Sequence, residues 1–384
     1  MRASGTATTS IEDTDVVVRP VRGRRDRTAF LELPHQLHAD LQNWVPPLRS
    51  HQRALINPRR NGFFEHGTVE LFTAHRSGVP VGRIAAVDDP RHNAAHGENC
   101  GFFGLFEAQP DMAAARNLVR AAADWCRRRG RDTLRGPVNF TRHQGGGVLV
   151  DGFHEPPFAM TPYNPEHYPR LLEACGLREA VDMLAWDLDI GHGSPESLQQ
   201  AARPALRGET HVRPLDLRRF DEEVEAIRRI HNAAGEGTWG FVPATAAEFR
   251  GPARGLRQLA RHCLTRIADV DGVPAAFAVT VPDINPGLHR ARGSLLPAGA
   301  LGIFRALRNT RRVRTALLGT DPRFGGTSLE AAVLDRSFED CYEHGYHHAE
   351  CSWFPEHREP LSSVLTAAGA EPTKRYRLYE TSLA

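Results

Sequence analysis

The sequence predicts a mixed α/β protein in which one arrangement of strands and helices is built twice in a single chain. Three observations carry that expectation. Apolar and β-branched runs alternate with segments of helical periodicity. The order hairpin, strand, long helix, strand, short helix, strand occurs before residue 190 and again after residue 210. A polar stretch, GHGSPESLQQAARPALRGE at 191–209, lies between the two. The 384 residues are enough for two domains of ordinary size.

In the first half, TVELFTAH (68–75), a turn at Ser77-Gly78 and VPVGRIAAV (79–87) predict a hairpin. The apolar stretch Gly101–Phe106 predicts a strand. A helix follows over Met112–Arg129, with Ala115, Leu118, Val119, Ala122, Trp125 and Cys126 on one face and Gly130 at its end. A strand at Asp132–Arg135, a helix Glu166–Ala174 closed by Gly176, and a strand Met183–Leu188 complete the unit. In the second half the hairpin is Leu264–Asp269 with Ala275–Val281, turning at Asp271-Gly272. Then come the strand Val313–Gly319, the helix Leu329–His344, the strand His347–Trp353, a short helix Pro360–Ala368 and a last strand Tyr376–Glu380. The expected boundaries are a polar tail at 1–15, a first unit at 16–190, a linker at 191–209 and a second unit at 210–384. One large mixed α/β domain is the alternative.

Composition narrows the function classes. Hydrophobic residues make up 41% and charged residues 24%, which suits a folded chain rather than a disordered one. The balance of 48 basic against 46 acidic residues gives +2, so no global field recruits nucleic acid or an anionic membrane. Only Lys374 among the basic residues is lysine. No apolar run reaches the length of a membrane span, and the N-terminal segment reads as a polar tail rather than a signal peptide. Six scattered cysteines without a Cys-x-x-Cys pair point to a reducing cytoplasm and away from a zinc site. His92 and His96 have helical ligand spacing, but Pro90 and Gly97 make their segment read as a loop, so no metal is expected.

The chemistry is concentrated in 311–334. There an apolar strand runs through Arg323-Phe324-Gly325-Gly326-Thr327-Ser328 into a helix. A diphosphate needs unobstructed backbone N–H groups at the positive end of a helix, which Gly325 and Gly326 supply. Thr327 and Ser328 add hydroxyl donors, and Arg323 adds a charge. The loop is neither a Walker A motif nor a dinucleotide fingerprint. A plain turn capped by Ser328 is the other reading.

Arg323, Gly326 and Ser328 resemble the acyl-coenzyme A loop of the GNAT acyltransferase superfamily, with Ser where that family has Gly or Ala. Over most of its length the chain is similar to bacterial tandem-GNAT proteins. The words that carry this include Asn43-Trp44-Val45-Pro46-Pro47, Gly101-Phe102-Phe103-Gly104, Pro162-Tyr163-Asn164-Pro165, Pro282-Asp283-Ile284-Asn285, Leu296-Pro297, Ser352-Trp353 and Tyr376-Arg377. The resemblance implies two GNAT-like domains, each a mostly antiparallel sheet with a strand–loop–helix motif. It implies an N-acyltransferase using acetyl-coenzyme A or another acyl-coenzyme A, with Leu318, Gly319, Arg323, Gly325, Gly326, Thr327 and Ser328 at the cofactor.

The first half departs from that pattern. Met112 stands where the loop needs glycine, and Asp111 places a carboxylate at the helix start. The first half is therefore expected to have lost coenzyme A and the second to have kept it. The tyrosine that many GNAT enzymes carry in the short helix is replaced by Leu365, and by Leu172 in the first half. Candidate catalytic groups are then Glu356, Asp283 and Tyr376, with His357 and Glu359 nearby. Structural roles remain open for each, and Cys351 reads as a core thiol. Asn139, Arg142 and His143, followed by three glycines, together with Tyr163 and Asn164, form the candidate acceptor pocket near the domain junction. The expected acceptor is a small polar molecule, with neither nucleic acid nor membrane as partner, in a monomer or homodimer. The alternatives are a non-catalytic acyl-coenzyme A or anion binder, and an aminoacyl-tRNA-dependent transferase of the Fem type.

Overall fold

The computed structural model describes residues 15–257, 264–295, 298–356 and 359–384. The first half runs β1 (Val16–Pro20), α1 (Gly23–Leu37), α2 (Arg49–Leu55), β2 (Thr68–Arg76), β3 (Val79–Asp88), α3 (Pro90–His96), β4 (Cys100–Ala108), α4 (Met112–Arg127), β5 (Thr133–Gly136), β6 (Val148–Asp151), α5 (His167–Ala174) and β7 (Arg178–Asp189). The second begins with α6 (Glu196–Leu206), β8 (Thr210–Pro214), α7 (Phe220–Gly235), α8 (Ala246–Arg257), β9 (Leu264–Val270) and β10 (Val273–Pro282). It continues with α9 (Asn285–Ala291), α10 (Ala298–Asn309), β11 (Arg312–Thr320), α11 (Thr327–Glu343), β12 (His348–Pro355), α12 (Glu359–Ala367) and β13 (Glu371–Ser382). Every element expected from periodicity is present, and the mixed α/β architecture holds.

All the described strands form a single sheet, in the order β1-β2-β3-β4-β5-β13-β7-β12-β11-β10-β9-β8, with β6 beside β13. Each half is antiparallel except where its long helix crosses over, at β4–β5 and β11–β12. The final strands of the halves are exchanged. β13 pairs with β5, and β7 pairs with β12, while β7 and β13 pair with each other. Burial follows the exchange. Tyr379 and Leu383 pack in the first-half core with Leu118 and Tyr168, and Leu184, Trp186 and Leu188 pack in the second-half core with Leu329 and Phe338.

Two segments fold differently from their sequence reading. The stretch around His92 is helix α3, not a loop. Pro90 occupies the first turn, where a missing N–H costs nothing, Asp89 caps Arg91 N and His92 N, and Gly97 at φ +63° ends it. Residues 196–206, inside the polar stretch between the halves, form α6, which buries Leu198 and Ala202 in the core under α11. Residues 1–14, Cys263, Leu296, Pro297 and His357 lie outside the described residues.

Candidate active site

The two parallel crossovers differ in what lies beyond the last paired residues. In the second half β11 and β12 pair from Arg312↔His348 to Thr315↔Cys351, and then diverge. The register with β10 also shifts between Val279 and Thr280, leaving Ala316 as an extra residue on β11. The backbone from Ala316 to Thr320 thus faces a gap instead of a β12 ladder. In the first half the corresponding gap is closed by the chain itself. Val138 N donates to Phe103 O at 2.7 Å, Asn139 Oδ1 accepts from Leu105 N at 3.1 Å, and Tyr168 Oη accepts from Ala108 N at 3.0 Å. A Cβ on Gly104 would lie 2.0 Å from Val138 O, so the chain just after β5 presses against β4 there.

The helix starts differ in the same sense. At α4 the Asp111 carboxylate accepts from Ala113 N and Ala114 N, at 3.0 and 3.1 Å, and pairs with Arg76 at 2.8 Å. Its first-turn amides are occupied by an internal anion. At α11 the capping residue is Gly326, with no side-chain cap, and Cβ atoms on Gly325 and Gly326 would meet nothing within 4 Å. Gly325 has φ +101°, which a side chain would strain. Thr327 and Ser328 begin the helix. Arg323 turns back onto Asp321 at 2.7 Å, so its charge is compensated within the turn. Leu318 lines the gap, whereas Gly319 is packed against Ala234 and Phe277.

The gap opens into a cavity of about 660 Å³. One wall is the diverging strands, with Leu318, Trp353 and Phe354. The facing wall is α7 and its loop, with Ile227, Ala234 and Phe241. Arg142, His143 and Gly145 of the first half close the side. The lining is mostly apolar, which suits a hydrocarbon portion of a ligand.

His143 is solvent-exposed at the cavity side, and desolvation by the protein packed around its ring pulls its pKa below the usual histidine value. Its Nε2 lies 3.0 Å from Val242 O, and its Nδ1 lies 3.3 Å from His231 Nε2. A carbonyl only accepts, so this network assigns the proton of His143 to Nε2 and leaves Nδ1 as an acceptor. The neutral imidazole thus turns a basic nitrogen toward the cavity side. Arg142 donates to Trp239 O and, among the described residues, has no carboxylate partner. Burial lowers its pKa to about 10, so it stays charged at neutral pH.

Of the other acceptor candidates, Asn139 holds Leu105, Tyr163 Oη donates to Phe153 O at 2.7 Å, and Asn164 bridges Leu149 N and O. These three shape the loops and do not line the cavity. The catalytic candidates Glu356, Asp283 and Tyr376 also lie off its wall. Glu356 pairs with Arg375 at 3.1 Å. Asp283 is buried beside Arg312, caps Asn285 N, and has its pKa raised by burial. Tyr376 is buried against Trp353, and burial raises its hydroxyl pKa. Cys351 is a core thiol pushed up to about 12 by burial. His92 and His96 are engaged by Glu98 and Phe241 O, and no metal-holding cluster occurs among the described residues. His231 was not singled out from sequence. The one signal it offers is a polar residue on the apolar Ile227–Ile230 face of α7.

A doubled sheet with one closed and one open parallel crossover is the tandem-GNAT fold. The chain belongs to the family that includes bacterial ceramide synthase and protein YghO. It is 32% identical over 376 residues to bacterial ceramide synthase of Caulobacter vibrioides, covering 96% of this chain and 98% of that protein. It is 31% identical over 378 residues to protein YghO of Escherichia coli, covering 96% and 95%. Among solved structures, a tandem GNAT protein from the clavulanic acid biosynthesis pathway superposes with a TM-score of 0.57 at 13% identity, over 96% of this chain and 99% of that one. No family model matches the chain. Among the described residues no helix is long and apolar enough to cross a membrane.

Proposed function

We propose that the protein is an acyl-coenzyme A-dependent N-acyltransferase whose acceptor is an amphiphilic amine with a hydrocarbon tail. The observation that carries this reading is the β11/β12 gap opening directly into an apolar cavity. The coenzyme A diphosphate lies at the uncapped start of α11, on the amides around Gly326. The pantetheine arm follows the diverging edge of β11, and the thioester carbonyl meets backbone N–H groups near Leu317 and Leu318. The expected small polar acceptor gives way to an amphiphile because most of the cavity wall offers it no hydrogen bond. A relative named ceramide synthase supports the same class, since a ceramide is an N-acylated long-chain amino alcohol.

In this reading His143 is the base. A protonated amine has no lone pair for attack, and the neutral Nδ1 accepts its proton once the amine takes the place of His231 Nε2. The amine nitrogen then bonds to the carbonyl carbon and the C–S bond breaks; the nitrogen gives up its second proton to the leaving thiolate, and His143 releases the first to solvent. Arg142 holds an oxygen of the acceptor head group. The first half supplies Arg142 and His143 but binds no coenzyme A. The test is release of free thiol from a long-chain acyl-coenzyme A, with sphinganine and with a short polar diamine as acceptors. Sphinganine-dependent release supports the reading. Release only with the diamine refutes it.

A further inference from the structure

The net charge of +2 conceals an uneven distribution. Residues 284–320 contain seven arginines and no Asp or Glu. Two of these turn inward, Arg312 to Asp283 and Arg314 to Glu350. The other five, Arg290, Arg292, Arg305, Arg308 and Arg311, are exposed, and none has a carboxylate within ion-pair distance among the described residues. The same segment carries large apolar side chains in solvent. Leu301 is 60% exposed, Phe304 53% and Leu295 44%. On α10, Leu301, Phe304, Arg305 and Arg308 stand at i, i+3, i+4 and i+7, so the apolar and cationic groups share one outward stripe. The Arg308 guanidinium lies 5.7 Å from the Phe304 ring centre.

We propose that α10, with Leu295 ahead of it, docks the enzyme onto an anionic lipid bilayer. A helix lying in the interface inserts apolar side chains among acyl chains while its arginines meet phosphate headgroups, and each arginine adds to the attraction. A polar protein partner would leave Leu301 and Phe304 without a favourable environment, and a wholly apolar one would bury five unpaired charges. The placement also connects with the cavity. α10 packs on α9, Asn285 of α9 donates to Pro157 O at 2.8 Å, and Met160, three residues further on, is 62% exposed and lines the cavity. A lipid lifted from a bilayer at this face meets Met160 at the cavity mouth. Docking stands independently of the acylation chemistry proposed above, because adsorption to vesicles reads the surface alone.

The experiment is co-sedimentation of the full chain with two kinds of vesicle. One is phosphatidylcholine alone; the other is phosphatidylcholine with phosphatidylglycerol at about three to one. The full chain is expected to partition onto the anionic vesicles and to be released by high salt. The double variants Leu301→Ser/Phe304→Ser and Arg305→Glu/Arg308→Glu should each lose about tenfold in partitioning. Both should keep the parent melting temperature and the parent rate of thiol release with a detergent-dispersed acceptor. If the apolar pair alters folding, the charge pair carries the test. Equal binding to both vesicles, no binding to either, or unchanged binding by the charge variant overturns the proposal. So does a vesicle-independent dimer that Leu301→Ser/Phe304→Ser dissociates, because the patch would then belong to a second copy.

Discussion

Replacing Gly326 by Asp should separate coenzyme A binding from folding. The first half already carries this arrangement, with Asp111 directly before α4 and its carboxylate on two first-turn amides. The same residue before α11 would accept from the equivalent amides and place a negative charge where the diphosphate is proposed to sit. A Cβ at Gly326 meets nothing within 4 Å, so no steric clash accompanies the change. The φ of −120° and ψ of −121° there differ from ordinary cap geometry. They offset part of the gain a carboxylate cap brings, which is up to about 1 kcal/mol.

The effect on binding is larger and of opposite sign. Two charge-assisted hydrogen bonds to a phosphate are each worth about 1.5–3 kcal/mol, so losing both removes about 3 kcal/mol. That is roughly a hundredfold in Kd, before any repulsion between the carboxylate and the phosphates. Titration calorimetry with coenzyme A, beside a thermal melt, measures both quantities on one sample. The expected result is weakened or undetectable binding by a protein at least as stable as its parent. A Kd within threefold of the parent would refute the placement of the diphosphate at α11. As a control, Asp111→Ala should cost about 1 kcal/mol of stability and leave coenzyme A binding unchanged.

Three further outcomes follow from the same geometry. His143→Ala should lower kcat by about a hundredfold with little change in KM. Because desolvation lowers the His143 pKa, the parent enzyme should hold its activity down to below pH 6.5 and lose it as the imidazole gains a proton; the variant's pH profile should lack that acid limb. Lys374→Met leaves the buried Glu350 carboxylate with Arg314 at 3.7 Å in place of two cations, which should cost about 3 kcal/mol in a urea unfolding curve. Adding Glu350→Gln should recover part of it, and a loss under about 1 kcal/mol would show that Lys374 contributes little. Ala316→Phe, on the extra residue of β11, should fill part of the cavity and shift acyl preference toward shorter chains, read as the ratio of kcat/KM for long and short acyl-coenzyme A substrates.

The parts legible from sequence are those set by local periodicity. α4 and α11 show apolar residues at spacings of three and four, and their glycine-bearing ends bound them within two residues of the observed limits. The short helices α3 and α6 were hidden because Pro90 and a polar composition resemble loop signals, while what fixes them is a cap and two buried side chains. The strand exchange has no local signature. The alternation in Met183–Leu188 and Tyr376–Glu380 predicts strands but carries no information about which half pairs with them. In the site, the open loop at Gly325 and Gly326 could be read directly because glycine has few other reasons to occur there. Arg142 and His143 were grouped with Asn139, Tyr163 and Asn164 as equal polar candidates. What separates them is the partner each side chain finds, and backbone groups from distant positions decide that.

The exchange explains why a half without an open crossover is retained. β13 supplies Leu378 and Tyr379 to cores built from first-half residues, and β7 supplies Leu184 and Trp186 to the second-half core. Neither half can shed the other without leaving a buried face unpaired. Asp111 caps the helix after the first crossover, Asn139 and Tyr168 close that crossover from within, and the turn after β5 forms the side wall of the cavity. The seam is also where the fold tolerates charge in its interior. Glu350 on β12, Arg314 on β11 and Lys374 on β13 meet there, all under a tenth exposed. A buried ionic cluster is a poor source of net stability but a strong penalty on misregister, because any slip of β13 leaves a charge unpaired. The chain's single lysine thus lies at the position where β13 must be held in register against β7, directly behind the wall that carries Trp353.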